Sequence, residues 1–155
     1  MAGVHLVTCV DWNYRHWAET MLLSTKPFKN FKKKFVIAVG EGDWDSWAER
    51  HDVTIVPQAW PDDPNYDRGR WCQNVRMRHL LNCIKGSDWL LQVDADVRQY
   101  QWLNTKVFRR VKNPQTALAF AVTKSIGRML GRGKFKKVDD RFRINAGWVL
   151  YKNNT

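Results

Sequence analysis

Trp89-Leu90-Leu91-Gln92-Val93 is almost wholly apolar and runs without a break into Asp94-Ala95-Asp96. A short run of this kind is the pattern of a central strand covered on both faces of a parallel sheet. In open parallel sheets ligands bind beyond the carboxyl ends of the strands, so the two aspartates fall at a binding edge. Side chains two apart on extended backbone point to the same side, which would bring both carboxylates together. Paired carboxylate oxygens suit a hard divalent cation, Mn²⁺ or Mg²⁺, that keeps positions open for phosphate oxygens. The alternative for Asp94 and Asp96 is capping of a following helix or solvation of the strand end. The chain holds its own control. Asp43-Trp44-Asp45 has the same spacing but follows a glycine turn rather than a strand, and reads as surface.

Outward from this segment, strand and helix patterns alternate. Val4 to Val10 is rich in β-branched residues and reads as a buried strand. Tyr14, Trp17, Ala18, Met21 and Leu22 recur at helical spacing until Pro27 ends the pattern. Phe35 to Val39 is a second strand closed by Gly40, Asp43 to Arg50 a short helix or turn, and Val53 to Val56 a third strand stopped by Pro57. Ala59 to Arg70 holds two prolines and three aspartates and reads as a loop. A helix resumes near Trp71, with Met77, Leu80, Leu81 and Ile84 on one stripe and Gly86 as its stop. Beyond Val97 the expectation is a helix over about Gln101 to Val111, a strand over Ala117 to Val122, a basic loop, and a last strand over Arg143 to Tyr151. That last strand is either an edge strand or a sign that the natural chain continues. The alternation predicts right-handed crossovers and a mostly parallel central sheet in a three-layer α/β/α sandwich.

Length and composition agree. The 155 residues fit one domain, and 44% hydrophobic with 13% aromatic content excludes a disordered tail. No apolar run approaches the roughly 18 residues of a membrane span, and no signal peptide is expected. The three cysteines, Cys9, Cys72 and Cys83, show no paired spacing, which argues against a disulfide framework or zinc site and for a reducing, cytoplasmic setting. None of the four histidines lies in a metal-ligand arrangement. Up to Val97 the chain carries 12 Lys and Arg against 13 Asp and Glu; beyond it, 14 against 2. The whole formal charge of +11 therefore arises in the C-terminal part. Such asymmetry points to an anionic partner, a nucleic acid, a phosphorylated small molecule or a membrane surface; a solvated face is the alternative.

The stretch Met77-Arg78-His79-Leu80-Leu81-Asn82-Cys83-Ile84-Lys85-Gly86-Ser87-Asp88-Trp89-Leu90-Leu91-Gln92-Val93-Asp94-Ala95-Asp96 resembles the nucleotide-sugar half of GT-A fold glycosyltransferases. These share a helix with a basic residue, a Lys-Gly-like turn, an apolar strand and an Asp-x-Asp. Asn145-Ala146-Gly147 resembles their Asn-x-Gly strand beside the donor sugar. The resemblance implies a Rossmann-like GT-A nucleotide-diphospho-sugar transferase fold over 1–155, with a nucleotide-binding part over about 1–97 and a basic part over about 98–155. It implies that Asp96 binds the divalent ion and that Asp94 contacts the metal, the ribose or both. Arg78 takes the place of the basic helix residue facing the diphosphate or sugar, with Arg70 and Arg76 as neighbours. Thr8 to Asp11 would lie against the base, and Asn145 and Gly147 would border the sugar. In such enzymes a further metal ligand and an acceptor-binding portion commonly follow the Asn-x-Gly strand. Here eight residues follow Gly147, so a fragment, a minimal form and a site completed by oligomerisation all stay open.

The chemistry asks for the same residue types. Cleaving a sugar–phosphate bond leaves charge on a nucleoside diphosphate, which a preorganised cation and a nearby guanidinium stabilise. Asp139 and Asp140, the sole acids after Val97, are candidates for the carboxylate base of an inverting transferase; ion pairing with the surrounding Lys and Arg is the alternative. Of the nine tryptophans, Trp17, Trp89 and Trp148 read as core, and Trp12, Trp60 and Trp71 as candidates for ligand contact. The expected function is thus transfer of a sugar from a nucleoside-diphosphate donor to an unknown acceptor, anionic or nucleic acid. A non-enzymatic nucleic-acid binder and a nucleotidyltransferase are the alternatives.

Overall fold

The computed structural model describes residues 3–26, 31–97, 118–123 and 143–153. The elements in chain order are β1 (Val4–Asp11), a 3₁₀ turn (Trp12–Tyr14), α1 (Arg15–Thr25), β2 (Phe31–Val39), α2 (Trp44–His51), β3 (Thr54–Gln58), α3 (Arg68–Ile84), β4 (Trp89–Val93), β5 (Leu118–Thr123) and β6 (Arg143–Lys152). They form one sheet in the order β3-β2-β1-β4-β6-β5. β3, β2, β1 and β4 are parallel neighbours, and β6 runs antiparallel to both β4 and β5. The expected helix over 101–111 and the basic loop lie outside the described residues.

Alternation along the strands divides the core in two. Val4, Leu6 and Val10 of β1, Val36 and Ala38 of β2, and Trp89, Leu91 and Val93 of β4 pack with Ala18, Met21 and Leu22 of α1 and Trp44 and Trp47 of α2. On the opposite face Val7, Ile37 and Leu90 pack with Val75, Leu80 and Cys83 of α3. Burial on both faces is why β1 and β4 read as continuous apolar runs. The result is the expected α/β/α sandwich. His5, buried under α3, fastens that helix to β1 by donating from Nδ1 to the Cys83 carbonyl at 2.7 Å.

Several expectations are corrected. β3 continues through Pro57 to Gln58, because at the edge of the sheet a residue without an N–H costs no ladder bond on its open side. The α1 stripe is shifted: Ala18, Met21, Leu22 and Thr25 are buried, whereas Tyr14 and Trp17 are exposed. α3 starts at Arg68, where Asp67 caps it by accepting from the Arg70 N–H at 3.1 Å. Its inner face is Cys72, Val75, Arg76, His79, Leu80 and Cys83, at helical spacing, while Met77 and Leu81 face out. β6 is no edge strand, since it is held between β4 and β5.

Candidate active site

Chain order in the sheet reverses between β1 and β4: the connections from β1 lead to β2 and β3 on one side, and the chain returns to β4 on the other. A crevice opens at such a switch point, beyond the carboxyl ends of the strands. Here β1 and β4 pair as far as Val7 and Gln92. β1 then continues beside β2 to Asp11, and β4 stops at Val93. Thr8 to Asp11 thus form one wall of the crevice and Asp94 to Val97 the other. β6 runs into the same edge from the opposite direction. Trp148 pairs with Val93, so Gly147 is the next β6 residue past the end of β4, with Asn145 two further on. The β5–β6 register breaks here, passing from Phe120–Val149 to Ala121–Asn145 and leaving Ala146 to Trp148 out of that ladder.

The aspartates sit differently from expectation. β4 ends at Val93, and Asp94 to Val97 close a turn in which the Val97 N–H donates to the Asp94 carbonyl at 3.1 Å. The same-side rule of extended backbone therefore does not govern Asp94 and Asp96. Asp94 is partly buried and its carboxylate accepts from the Arg76 guanidinium; Asp96 is exposed. Arg76 reaches Asp94 from the inner face of α3, with its side chain only 16% exposed. Arg78 lies on the exposed side of that helix, and Arg70 is exposed, in a 3.8 Å pair with the Asp67 cap. The guanidinium in the crevice is thus that of Arg76. Counting Cys72 and Cys83 as apolar positions would have revealed it, because Arg76 continues the stripe that they define with Val75 and Leu80.

The other expected residues are dispersed along the edge. Thr8 is buried on the α1 side, and its hydroxyl has no hydrogen-bond partner. Asp11 caps the 3₁₀ turn by accepting from the Tyr14 N–H at 3.0 Å. Asp139 and Asp140 lie outside the described residues. Asp43 caps α2 at an exposed position, as a surface aspartate should. Gln92 and Tyr151, facing α3 from β4 and β6, extend the crevice beside Arg76: the Tyr151 hydroxyl donates to Gln92 Oε1 at 3.2 Å. Burial raises the Tyr151 pKa, opposed by the charge of Arg76.

The tryptophans are engaged with one another. Trp12 stacks edge-on to Trp44 at 5.0 Å under the Arg15 guanidinium, and Trp60 packs on Trp71 and Tyr66 at 5.1 and 5.7 Å. Trp60 also lies over Gly40, whose φ of +75° and absent Cβ admit the indole; a Cβ there would meet Trp60 Nε1 at 2.5 Å. These rings wall the loops at the carboxyl edge. A groove of about 440 Å³ between α1 and α2, lined by Arg15, Lys26, Trp47, Arg50 and His51, is on the other face of the sheet from Arg76.

A divalent cation fits the donor set in one respect. Asp94 and Asp96 offer hard oxygen ligands in a tight turn, and an ion so held would complete its shell with diphosphate oxygens and water. Among the described residues no group of three or more His, Cys, Asp or Glu could hold a metal alone. No helix among them is long and apolar enough to cross a membrane.

No protein-family model matches the sequence, and no curated protein matches it. Solved structures do. The chain is similar to the galactosyltransferase LgtC in complex with donor and acceptor sugar analogues, with a TM-score of 0.61 and 16% identity over 96% of this chain and 57% of that one. It is similar to a mannosyltransferase from Pyrobaculum calidifontis in complex with GDP-Man and Mn²⁺, with a TM-score of 0.57 and 13% identity over 97% of this chain and 44% of that one. It is also similar to 4-diphosphocytidyl-2C-methyl-D-erythritol synthase from Anaerococcus prevotii DSM 20548, with a TM-score of 0.56 and 14% identity over 97% of this chain and 71% of that one. The fold is the Rossmann-like GT-A fold, and the chain spans little more than half the length of LgtC.

Proposed function

We propose that the chain is the nucleotide-binding part of a glycosyltransferase that uses a nucleoside-diphosphate sugar with Mn²⁺ or Mg²⁺. The observation that carries this reading is the Arg76–Asp94 pair at the β1–β4 switch point, with Asp96 exposed two residues on. Asp96 and Asp94 would hold the cation, which when bound neutralises charge on the departing diphosphate. Arg76, held by Asp94, presents a fixed guanidinium to the same diphosphate. Asp11 at the end of β1 faces the nucleoside side of the crevice, and the β6 backbone at Asn145 and Gly147 borders the donor sugar. Asp139 or Asp140 serves as base toward the acceptor hydroxyl. The basic residues of 98–155 favour an anionic acceptor, nucleic acid among them. Three free cysteines suit a reducing, cytoplasmic setting.

The likeness to the erythritol synthase, of which this chain covers the larger share, favours a second reading, nucleotidyl transfer. Incubation with Mn²⁺ and a panel of nucleotide sugars and nucleoside triphosphates separates the two. Sugar transfer, to water where no acceptor is supplied, releases a nucleoside diphosphate from an activated sugar and no pyrophosphate from triphosphates. Pyrophosphate release would replace the first reading with the second, and release of neither product would contradict both.

A further inference from the structure

The groove between α1 and α2 is separated from the Arg76–Asp94 crevice by the sheet. Its α1 wall is one helical row, Arg15, Glu19 and Leu23 at a spacing of four, ending in Lys26 at the helix C-cap. That row runs beside the buried one of Ala18, Met21, Leu22 and Thr25, and so faces α2 rather than the sheet. Trp47, Arg50 and His51 of α2 close the other side. The volume of about 440 Å³ lies in the range of small-molecule sites, about 300–1,000 Å³.

Up to Val97 acidic and basic residues nearly balance, yet this groove gathers three permanent cations and one carboxylate. Arg15, Lys26 and Arg50 have no ion pair among the described residues, and the carboxylate, Glu19, sits 3.5 Å from His51. The guanidiniums are steadied from behind: Arg15 donates to the Trp12 carbonyl at 2.7 Å and Arg50 Nε to the Ser46 carbonyl at 3.2 Å. Each commits one of its five N–H donors in this way. His51, its side chain 10% exposed, packs on Trp47 at a ring distance of 4.4 Å. Burial lowers the His51 pKa, as do Arg50, Lys26 and Lys34, against the pull of Glu19, so the imidazole is neutral at pH 7. Three cations less one carboxylate leave the groove a formal +2.

That charge matches a phosphate monoester, which carries about −1.5 to −2 at pH 7. Eleven residues of helix place Arg15 about 16 Å from Lys26 along the axis, so one phosphate does not span both. Arg50 and Lys26, which both act on His51, make the phosphate end. Toward Arg15 the walls are Leu23, Trp47 and the polar groups of Glu19 and Arg15, which suit a hydroxylated carbon chain. We propose that this groove is a second ligand site, for a small sugar phosphate, with its phosphate between Arg50 and Lys26 and its hydroxyl groups toward Glu19 and Arg15. It stands independently of the nucleotide-sugar reading, because it needs neither the crevice nor a metal.

The test is calorimetric titration of the full-length chain with glucose 6-phosphate as probe, in a chelator that removes divalent ions. Binding is expected, and should be at least tenfold tighter than for inorganic phosphate or succinate. Arg50→Ala and Lys26→Ala, both at exposed positions, should each weaken it about tenfold, the scale of a lost hydrogen bond to a charged group. Glu19→Gln keeps an acceptor and removes the competing charge, and should tighten it about threefold. Asp96→Asn, in the crevice, should leave the affinity as it is. Absence of binding, equal affinity for inorganic phosphate or succinate, or unchanged affinity in both alanine variants would overturn the proposal.

Discussion

Asp94→Ala is expected to weaken binding of a nucleoside diphosphate with Mn²⁺ by about 10- to 100-fold, the scale on which losing a partner that orients a metal or phosphate group is felt. Two effects add. The turn loses one of its two carboxylates, and the largely buried Arg76 guanidinium loses the group that holds it. An unpartnered charge at such a site costs about 1–3 kcal/mol of fold stability as well, so stability and binding must be read separately. Asp94→Asn keeps an acceptor for Arg76 and should recover most of the stability while leaving binding impaired. Isothermal calorimetry and thermal denaturation on the two variants check this. Equal affinity in wild type and Asp94→Ala would remove Asp94 from the site.

Trp47→Ala should produce the largest loss of stability, about 3–5 kcal/mol, because it empties the volume of a whole indole from the core between α2 and the sheet. Trp47 is 2% exposed and packs against Trp44 and His51 at ring distances of 5.9 and 4.4 Å. Its Nε1 is buried and has no hydrogen-bond partner, so Trp47→Phe gives up volume but no bond and should cost under about 1.5 kcal/mol. Thermal denaturation reads the difference: for a chain of this size the alanine variant should melt roughly 6–20 °C lower. A small loss in the alanine variant would show that this face of the sheet is not the packed core described above.

What the amino-acid order disclosed follows from which signals are local. β1, β2 and β4 were legible because burial on both faces makes them continuous apolar runs, and with the helices between them they imply the parallel α/β/α sandwich. The Asp-x-Asp after β4 could be found because strand end and aspartates adjoin in sequence, and the Asp43–Asp45 control was separated from it by the same reasoning. Pro57 was misread as a stop because edge position, which makes a proline harmless, is a property of the sheet and not of the segment. The rotation of α3 was missed for a chemical reason: Cys72 and Cys83 were weighed as ligands rather than as small apolar residues. That hid Val75, Arg76 and Leu80 as one face, so that Arg76 was not seen as the arginine that reaches Asp94. The place of β6 between β4 and β5 depends on pairings between distant segments that no periodicity encodes.

On the proposed function, Asp94 and Asp96 hold a divalent cation together with a nucleoside diphosphate beside Arg76. The most direct measurement is the electron paramagnetic resonance signal of free Mn²⁺ as protein is added with and without UDP or GDP. One equivalent of Mn²⁺ is expected to leave the free pool when protein and a nucleoside diphosphate are both present, and Asp96→Asn is expected to return it. A free-ion signal that the protein does not reduce beyond what the nucleotide alone binds, or an Asp96→Asn variant that binds as wild type does, would contradict it.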